Sequence, residues 1–237
     1  MQMNKYIAVS TNMTLILATL AARQMGWAST SSEAPTTLRA LYGLKAPERF
    51  ERAKTALVLV DFQEEFFSGK LRLPHGARAA VHAAELLEWA RHQGILVVHV
   101  RNVVARPGSP IFAPDSPTSR IIRSLTPGVG EAVVTKSMVG AFSRTELDRE
   151  LRARQIDTIL VAGLMTHLAV QATAIDATVL GYRVVVASDA SATRALPGAG
   201  GYTGVDAELL QRAALAGMAD RVADVLPVRQ ITRLQVQ

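Results

Sequence analysis

From residue 56 onward, short unbroken runs of Val, Ile and Leu alternate with longer stretches in which apolar residues recur every third or fourth position. Runs that lack polar alternation suit strands covered on both faces, and the longer pattern suits amphipathic helices. The strands so predicted are 56–60, 95–100, 132–134, 158–162 and 183–187, with a weak final one at 222–228. The helices are 79–93, 145–155, 168–180 and 206–221, and Gly94 and Gly181 fall just past two of them, where a left-handed C-cap is expected. Strand and helix in alternation imply βαβ units, an α/β fold with a mostly parallel central sheet. No internal repeat is visible.

The first 35 residues break this pattern. Lys5 precedes an apolar run centred on 13–22, followed by Trp27-Ala28-Ser29 and a Ser/Thr-rich stretch. That order fits a secretory signal with a small-residue cleavage site, which implies an exported, periplasmic or secreted protein. A frayed amphipathic extension or an upstream start codon fits as well and leaves the protein cytoplasmic. Arg23 interrupts the run, which is too short for a stable membrane span. The expected organisation is therefore a signal-like or disordered extension at 1–35, a linker or strap at 36–54, and the main domain at 55–237. Within it, the proline-rich stretch 103–127 and the glycine-rich stretch 196–204 are long enough to cover a substrate, or to be surface connections.

Composition narrows the chemistry. With 237 residues, 49% of them hydrophobic, the chain can bury a sizeable single core. It has no cysteine, which excludes disulfides, thiolate metal sites and thiol catalysis in the chain as it stands. The net charge of +6 comes mainly from arginines scattered along helices and loops with few aromatics between them. No nucleic-acid motif accompanies them, so a solvated basic surface is expected and no nucleic-acid partner. The glycine fingerprint of a dinucleotide fold is absent, and no cofactor is expected.

Asp61 follows the first predicted strand, Lys136 follows Val133-Val134-Thr135, and Gly163 follows the strand 158–162. These are carboxyl ends of strands, where an open parallel sheet binds its ligands. An acid and a base meeting there would perturb each other, lysine favouring the ionised aspartate. Separately, each has an ordinary reading: an aspartate ending a strand is a common turn former, and a lone lysine is commonly solvated.

Together the pieces resemble the isochorismatase-like hydrolase superfamily, which includes nicotinamidases, carbamoyl amidohydrolases and related cysteine hydrolases. The resemblance spans about residues 55–228 and rests on Leu59-Val60-Asp61-Phe62-Gln63-Glu64-Glu65-Phe66, on Val134-Thr135-Lys136 with Ala141-Phe142, and on Gly163-Leu164-Met165-Thr166-His167-Leu168-Ala169-Val170. Thr173-Ala174-Ile175-Asp176-Ala177, Gly181-Tyr182-Arg183-Val184 and Ser188-Asp189-Ala190 continue it in order. It implies a three-layer α/β/α sandwich of Rossmann-like type, a small-molecule substrate and a homo-oligomer. It also implies an aspartate–lysine–cysteine triad in which Asp61 and Lys136 match the first two members and Ala169 stands at the nucleophile position. In such a triad the aspartate takes the thiol proton, the lysine favours the thiolate, and the thiolate attacks an amide or carbamoyl carbon. The family's non-proline cis peptide maps onto Leu164-Met165, which aims the N–H groups of Met165 and Ala169 at a developing oxyanion.

Alanine carries no nucleophilic atom, so the covalent route is closed in this chain. Thr166 reads as a helix N-cap or loop-fixing residue rather than a substitute nucleophile, and Ser137 is a weaker candidate still. Three explanations remain open: a cysteine hydrolase that lost its cysteine and is inactive or much reduced, an isochorismatase-type enol-ether hydrolase using Asp61 as general acid without a cysteine, and a non-catalytic binding protein. Phe66, His99, Arg101 and His167 are the candidate substrate-binding residues, with Arg194 similar to Arg101 as an anion contact. Nicotinamidases bind a metal through an aspartate and histidines shortly after the first strand. The matching stretch 67–74 offers no histidine and His75 alone cannot make that site, so no metal is expected.

Overall fold

In the computed structural model, residues 35–106 and 108–237 are described, and the signal-like segment lies outside them. The short strand β1 (Arg49–Phe50) precedes six strands that carry the fold: β2 (Thr55–Val60), β3 (Leu96–Asn102), β4 (Ala132–Lys136), β5 (Thr158–Leu164), β6 (Arg183–Ala192) and β7 (Asp224–Leu226). They form one six-stranded sheet in the order β4-β3-β2-β5-β6-β7, parallel at every pairing. The order reverses beside β2, the first of the six, and this is the place where a doubly wound sheet opens a crevice at its carboxyl edge.

All six residues of β2 are buried, and they alternate between two cores. Leu57 and Leu59 join Ala83, Leu86 and Leu87 of α2 (Gly76–Gln93) on one face. Ala56, Val58 and Val60 join Leu147 and Leu151 of α3 (Leu147–Ala153), Ala174 and Ala177 of α4 (Gln171–Val179) and Met218 of α5 (Ala207–Arg221) on the other. Side chains that alternate across a strand need a helical layer on each side, and the result is the expected three-layer α/β/α sandwich. Each fully buried Leu or Val contributes roughly 1.5–3 kcal/mol, and this burial holds the layers together.

The strands extend further toward their carboxyl ends than the apolar runs indicate. β3 continues to Asn102 and β4 to Lys136 because these two residues are ladder partners, and β5 continues to Leu164 opposite Ala192 of β6. Backbone pairing carries a strand past the point where side chains turn polar. Lys136, Gly163 and Arg101 consequently lie within strands rather than after them. Helix α2 begins at Gly76, ahead of the periodic stretch, and ends at Gly94 with φ +66, the left-handed cap expected there. Asp206 caps α5, its carboxylate accepting from the N–H of Leu209 at 2.8 Å.

Residues 37–54 are fastened to this domain at several points. They carry the one-turn helix α1 (Leu38–Leu41), whose Leu38 N–H donates to Asp220 at 2.9 Å and whose Arg39 donates to Asp224 at 2.7 Å. β1 pairs in parallel with the C-terminal strand β8 (Gln235–Val236), which follows the short helix α6 (Val228–Ile231). Among the described residues no helix is long and apolar enough to cross a membrane.

Gly163 shows how closely the strands approach at the carboxyl edge. A Cβ built there would lie 2.7 Å from both Cβ and the carbonyl oxygen of Val60, and 3.1 Å from Cγ2 of Val170. Val60 belongs to a central strand paired on both sides and cannot retreat. Gly163→Ala is expected to destabilise the fold by about 1–3 kcal/mol, read as a lower urea midpoint; an unchanged midpoint would show that the edge is slack.

Candidate active site

Three strand ends meet at the carboxyl edge. Asp61 is the first residue after β2 and adopts φ +56, a left-handed conformation that aspartate tolerates better than most residues. Its N–H donates to the carbonyl of Val100 at 2.9 Å, which holds the turn against β3. Lys136 closes β4, two strands away, and reaches back over β3. Its Nζ lies 2.7 Å from Oδ2 of Asp61 and also donates to the carbonyl of Met138 at 3.1 Å. Asp61 and Lys136 are both 3% exposed, so this is a buried ion pair.

Burial dominates the aspartate's acidity. Loss of water raises its pKa from 3.8 to about 6, while the charge of Lys136 and its hydrogen bond pull the other way. The second oxygen, Oδ1, is buried and has no hydrogen-bond partner among the described residues. A carboxylate oxygen left in this state is available to take or give a proton to a bound group.

The chain then leaves β5 through the Leu164–Met165 peptide, which is cis. A π-helical turn over Thr166–Val170 follows and leads into α4. Met165 is the residue that caps this turn, its carbonyl accepting from the N–H groups of Leu168 at 3.1 Å and Val170 at 3.2 Å. Thr166 is therefore not the N-cap: it lies inside the turn, fully buried, and its Oγ1 has no partner among the described residues. The wider turn explains the difference, because it moves the cap one residue earlier than an α-helical start would.

Ala169, on the second half of that turn, lines the same cavity as the ion pair. The cavity measures about 160 Å³, and its walls include Asp61, Lys136, Ala169, Phe66, Leu164 and Met165. Thr173 ties its two sides together: Oγ1 donates to the carbonyl of Ala169 at 2.7 Å and accepts from the N–H of Ala141 at 3.0 Å. The loop that follows Lys136 is thus pinned to the turn that carries residue 169. Larger hollows elsewhere on the domain contain neither member of the pair.

Ser137, the weaker candidate beside Lys136, also lines the cavity, and the remaining sequence candidates are elsewhere. His99 is buried beneath the β3–β4 edge, with Nε2 2.8 Å from Oε2 of Glu131. Glu131 is itself held to about 2 in pKa chiefly by hydrogen bonds from Arg91, and burial pulls the His99 pKa below its usual value. Arg101 points to the opposite face of β3 from its neighbour Asn102 and donates to Oγ1 of Thr135 at 3.1 Å. His167 turns to the hydroxyl of Thr193, its pKa lowered by burial and by the charge of Arg194. None of the three lines the cavity, and neither does Arg194. The walls include instead Asn102, Phe112, Met138, Val139 and Leu168, which sequence reasoning missed.

The covering stretch 103–127 supplies Phe112. Its ring meets Phe66 edge-on, with centroids 5.4 Å apart and planes at 60°. Three backbone bonds hold the stretch down: Glu64 N–H to Arg120 at 2.9 Å, Ile122 N–H to Phe62 at 2.9 Å, and Val103 N–H to Lys136 at 2.9 Å. The buried Glu65 adds a fourth tie, accepting from the hydroxyl of Thr118 at 2.6 Å. The glycine-rich stretch 196–204 forms a surface turn closed by the pairing of Leu196 with Val205 and contributes nothing to the cavity.

The raised pKa of Asp61 carries a sign. A carboxyl whose pKa is higher folded than unfolded contributes stability below about pH 4 and loses that contribution as pH rises through about 6. Carbon-13 titration of Asp61 is expected to give a midpoint near 6, and Lys136→Met is expected to move it higher, because the lysine is the group holding it down. A midpoint at the ordinary carboxylate value, or one unmoved by the substitution, would contradict the buried pairing.

Known proteins of similar sequence and structure identify the family. An isochorismatase domain model matches residues 55–230. A secreted isochorismatase effector of Verticillium dahliae is 34% identical over 185 residues, covering 78% of this chain and 93% of that protein. A streptothricin hydrolase of Streptomyces noursei is 37% identical over 173 residues, covering 73% and 62% respectively. A maleamate amidohydrolase of Pseudomonas putida is 32% identical over 151 residues, covering 56% and 70%. The crystal structure of an isochorismatase from Pseudomonas putida superposes with a TM-score of 0.76 at 34% identity, over 83% of this chain and 99% of that one. With a matching domain model over most of its length and relatives that agree in both sequence and fold, the chain belongs to the isochorismatase family and has its hydrolase scaffold.

Proposed function

We propose that the cavity binds a small amide- or carbamoyl-bearing molecule, and that the chain retains the surroundings of a cysteine-type C–N hydrolase whose attacking atom is absent at Ala169. One observation carries this reading: the methyl group of Ala169 lines the same small cavity as the buried Asp61–Lys136 pair, whose Oδ1 is unpartnered. A thiol at that position would lose its proton to Asp61, Lys136 would favour the resulting thiolate, and the sulfur would attack the carbon of the C–N bond. The oxyanion would gather against the N–H groups of Met165 and Ala169, and Asp61 would return its proton to the departing nitrogen. With alanine there is no electron pair to begin the sequence. The maleamate amidohydrolase among the relatives supports the choice of bond.

Restoring the nucleophile tests this directly. Ala169→Cys is expected to give a thiol that titrates below the ordinary value of about 8.5, reacts rapidly with iodoacetamide, and confers amide hydrolysis on a chain that otherwise shows none. A thiol titrating at the ordinary value and slow to alkylate would refute it.

A second reading follows from the acidity of Asp61. With its pKa raised to about 6, this carboxyl carries a proton in mildly acid solution and can serve as general acid toward an enol ether, which needs no cysteine. Pyruvate release from isochorismate by the unaltered chain would then fall as pH rises through about 6 and vanish in Asp61→Asn. Absence of release dependent on Asp61 eliminates the ether route. A protein that binds ligand and turns over neither substrate is a binding protein on this scaffold.

A further inference from the structure

Two uncharged polar residues line the cavity beside the ion pair, the exposed Ser137 and the half-buried Asn102. Asn102 ends β3 as the ladder partner of Lys136, so the two side chains leave the sheet on the same face as neighbours. Its backbone is gripped by Gln63, which is fully buried. Oε1 of Gln63 accepts from the Asn102 N–H at 2.7 Å, and Nε2 donates to the Asn102 carbonyl at 2.8 Å and to the Ser119 carbonyl at 2.8 Å. One buried amide thereby fixes both the end of β3 and the covering stretch, using its acceptor and both donors. The carboxamide of Asn102 itself lines the cavity and makes no hydrogen bond with other described residues.

The charge balance of the walls limits what can enter. Among the described residues lining the cavity, the charged groups are Asp61 and Lys136, and they neutralise each other at 2.7 Å. A ligand carboxylate would approach an ionised Asp61 with no free cation to meet it, and burying an unpaired charge is strongly unfavourable. Arg101, the nearest arginine in sequence, is turned toward Thr135. The remaining walls are largely apolar, with Phe66 and Phe112 presenting ring surfaces.

We propose that Asn102 determines specificity at this site: its carboxamide, carried on a backbone that Gln63 holds, hydrogen-bonds an uncharged polar group of a small neutral amide whose apolar body lies against Phe66 and Phe112, and amides bearing a carboxylate are rejected. This rests on the cavity being the amide site, and it does not depend on whether residue 169 marks a lost nucleophile.

The test uses the full chain at pH 7.5, where Asp61 is ionised, and calorimetric titration with butyramide, benzamide and succinamate. Butyramide and benzamide are expected to bind, each about tenfold or more tighter than succinamate. Asn102→Leu, similar in size but without hydrogen-bonding atoms, is expected to weaken butyramide about tenfold with the urea midpoint retained. Asn102→Arg is expected to reverse the preference in favour of succinamate. Equal binding of succinamate and butyramide, undiminished butyramide binding by Asn102→Leu, or no binding of any of the three overturns the proposal. The thiol titration of Ala169→Cys is read separately. A depressed thiol pKa without neutral preference defeats only the assignment of Asn102, and an ordinary thiol pKa with neutral preference defeats only the nucleophile position.

Discussion

The arrangement depends on a buried ion pair held between two strands that are not neighbours. Placing Asp61 and Lys136 out of water costs several kcal/mol per charge, and their attraction offsets this only if the geometry stays good. At 2.7 Å the geometry is good, yet the aspartate still has a pKa raised to about 6, so desolvation outweighs attraction in setting its acidity. Such a pair adds little to stability compared with apolar residues of the same size. Its value lies in chemistry: a carboxyl with one oxygen held and the other free, facing a small cavity.

Much of the surrounding structure can be understood as support for that pair. The parallel ladder from β2 through β3 to β4 sets the lateral distance Lys136 must span, and the left-handed turn at Asp61 aims the carboxyl back over the sheet. Gln63 and Glu65, both buried, tie the segment after β2 to the covering stretch, while Thr173 ties the loop after β4 to the turn that carries Ala169. These polar groups reach across loops and so hold the cavity walls to one another. The family's hydrolases share this scaffold.

The sheet, its helices and the gathering of Asp61, Lys136 and Gly163 at the carboxyl edge were legible because each follows from a local pattern, whereas Ala169 stood out only through the resemblance to a family. Continuous Val, Ile and Leu runs mark strands, and chemistry in a parallel sheet gathers where such runs stop. The same reasoning misplaced residues where pairing outlasts the apolar run. Asn102 was passed over because its strand was taken to end at 100, and His99 and Arg101 were taken as cleft residues when one face of the extended strand is turned elsewhere. Phe112 lies in a proline-rich stretch with a left-handed backbone, a conformation no periodicity announces. Thr166 reads as a cap or a loop-fixing residue because the π-helical turn leaves no mark in the order of residue types. Two signals were available: the alternation of side chains along β3 carried two residues further, and the single aromatic in the covering stretch.

The proposed chemistry requires residue 169 to share an electrostatic environment with Lys136. The most direct measurement is the thiol pKa of Ala169→Cys with Lys136 present and with Lys136→Met in the same chain. The ion-pair cavity predicts a depressed value in the first and a clear rise in the second, because removing the ammonium removes the charge that favours thiolate. Equal values in the two proteins would show that the methyl group of Ala169 and the lysine do not face one another, and the account would be wrong.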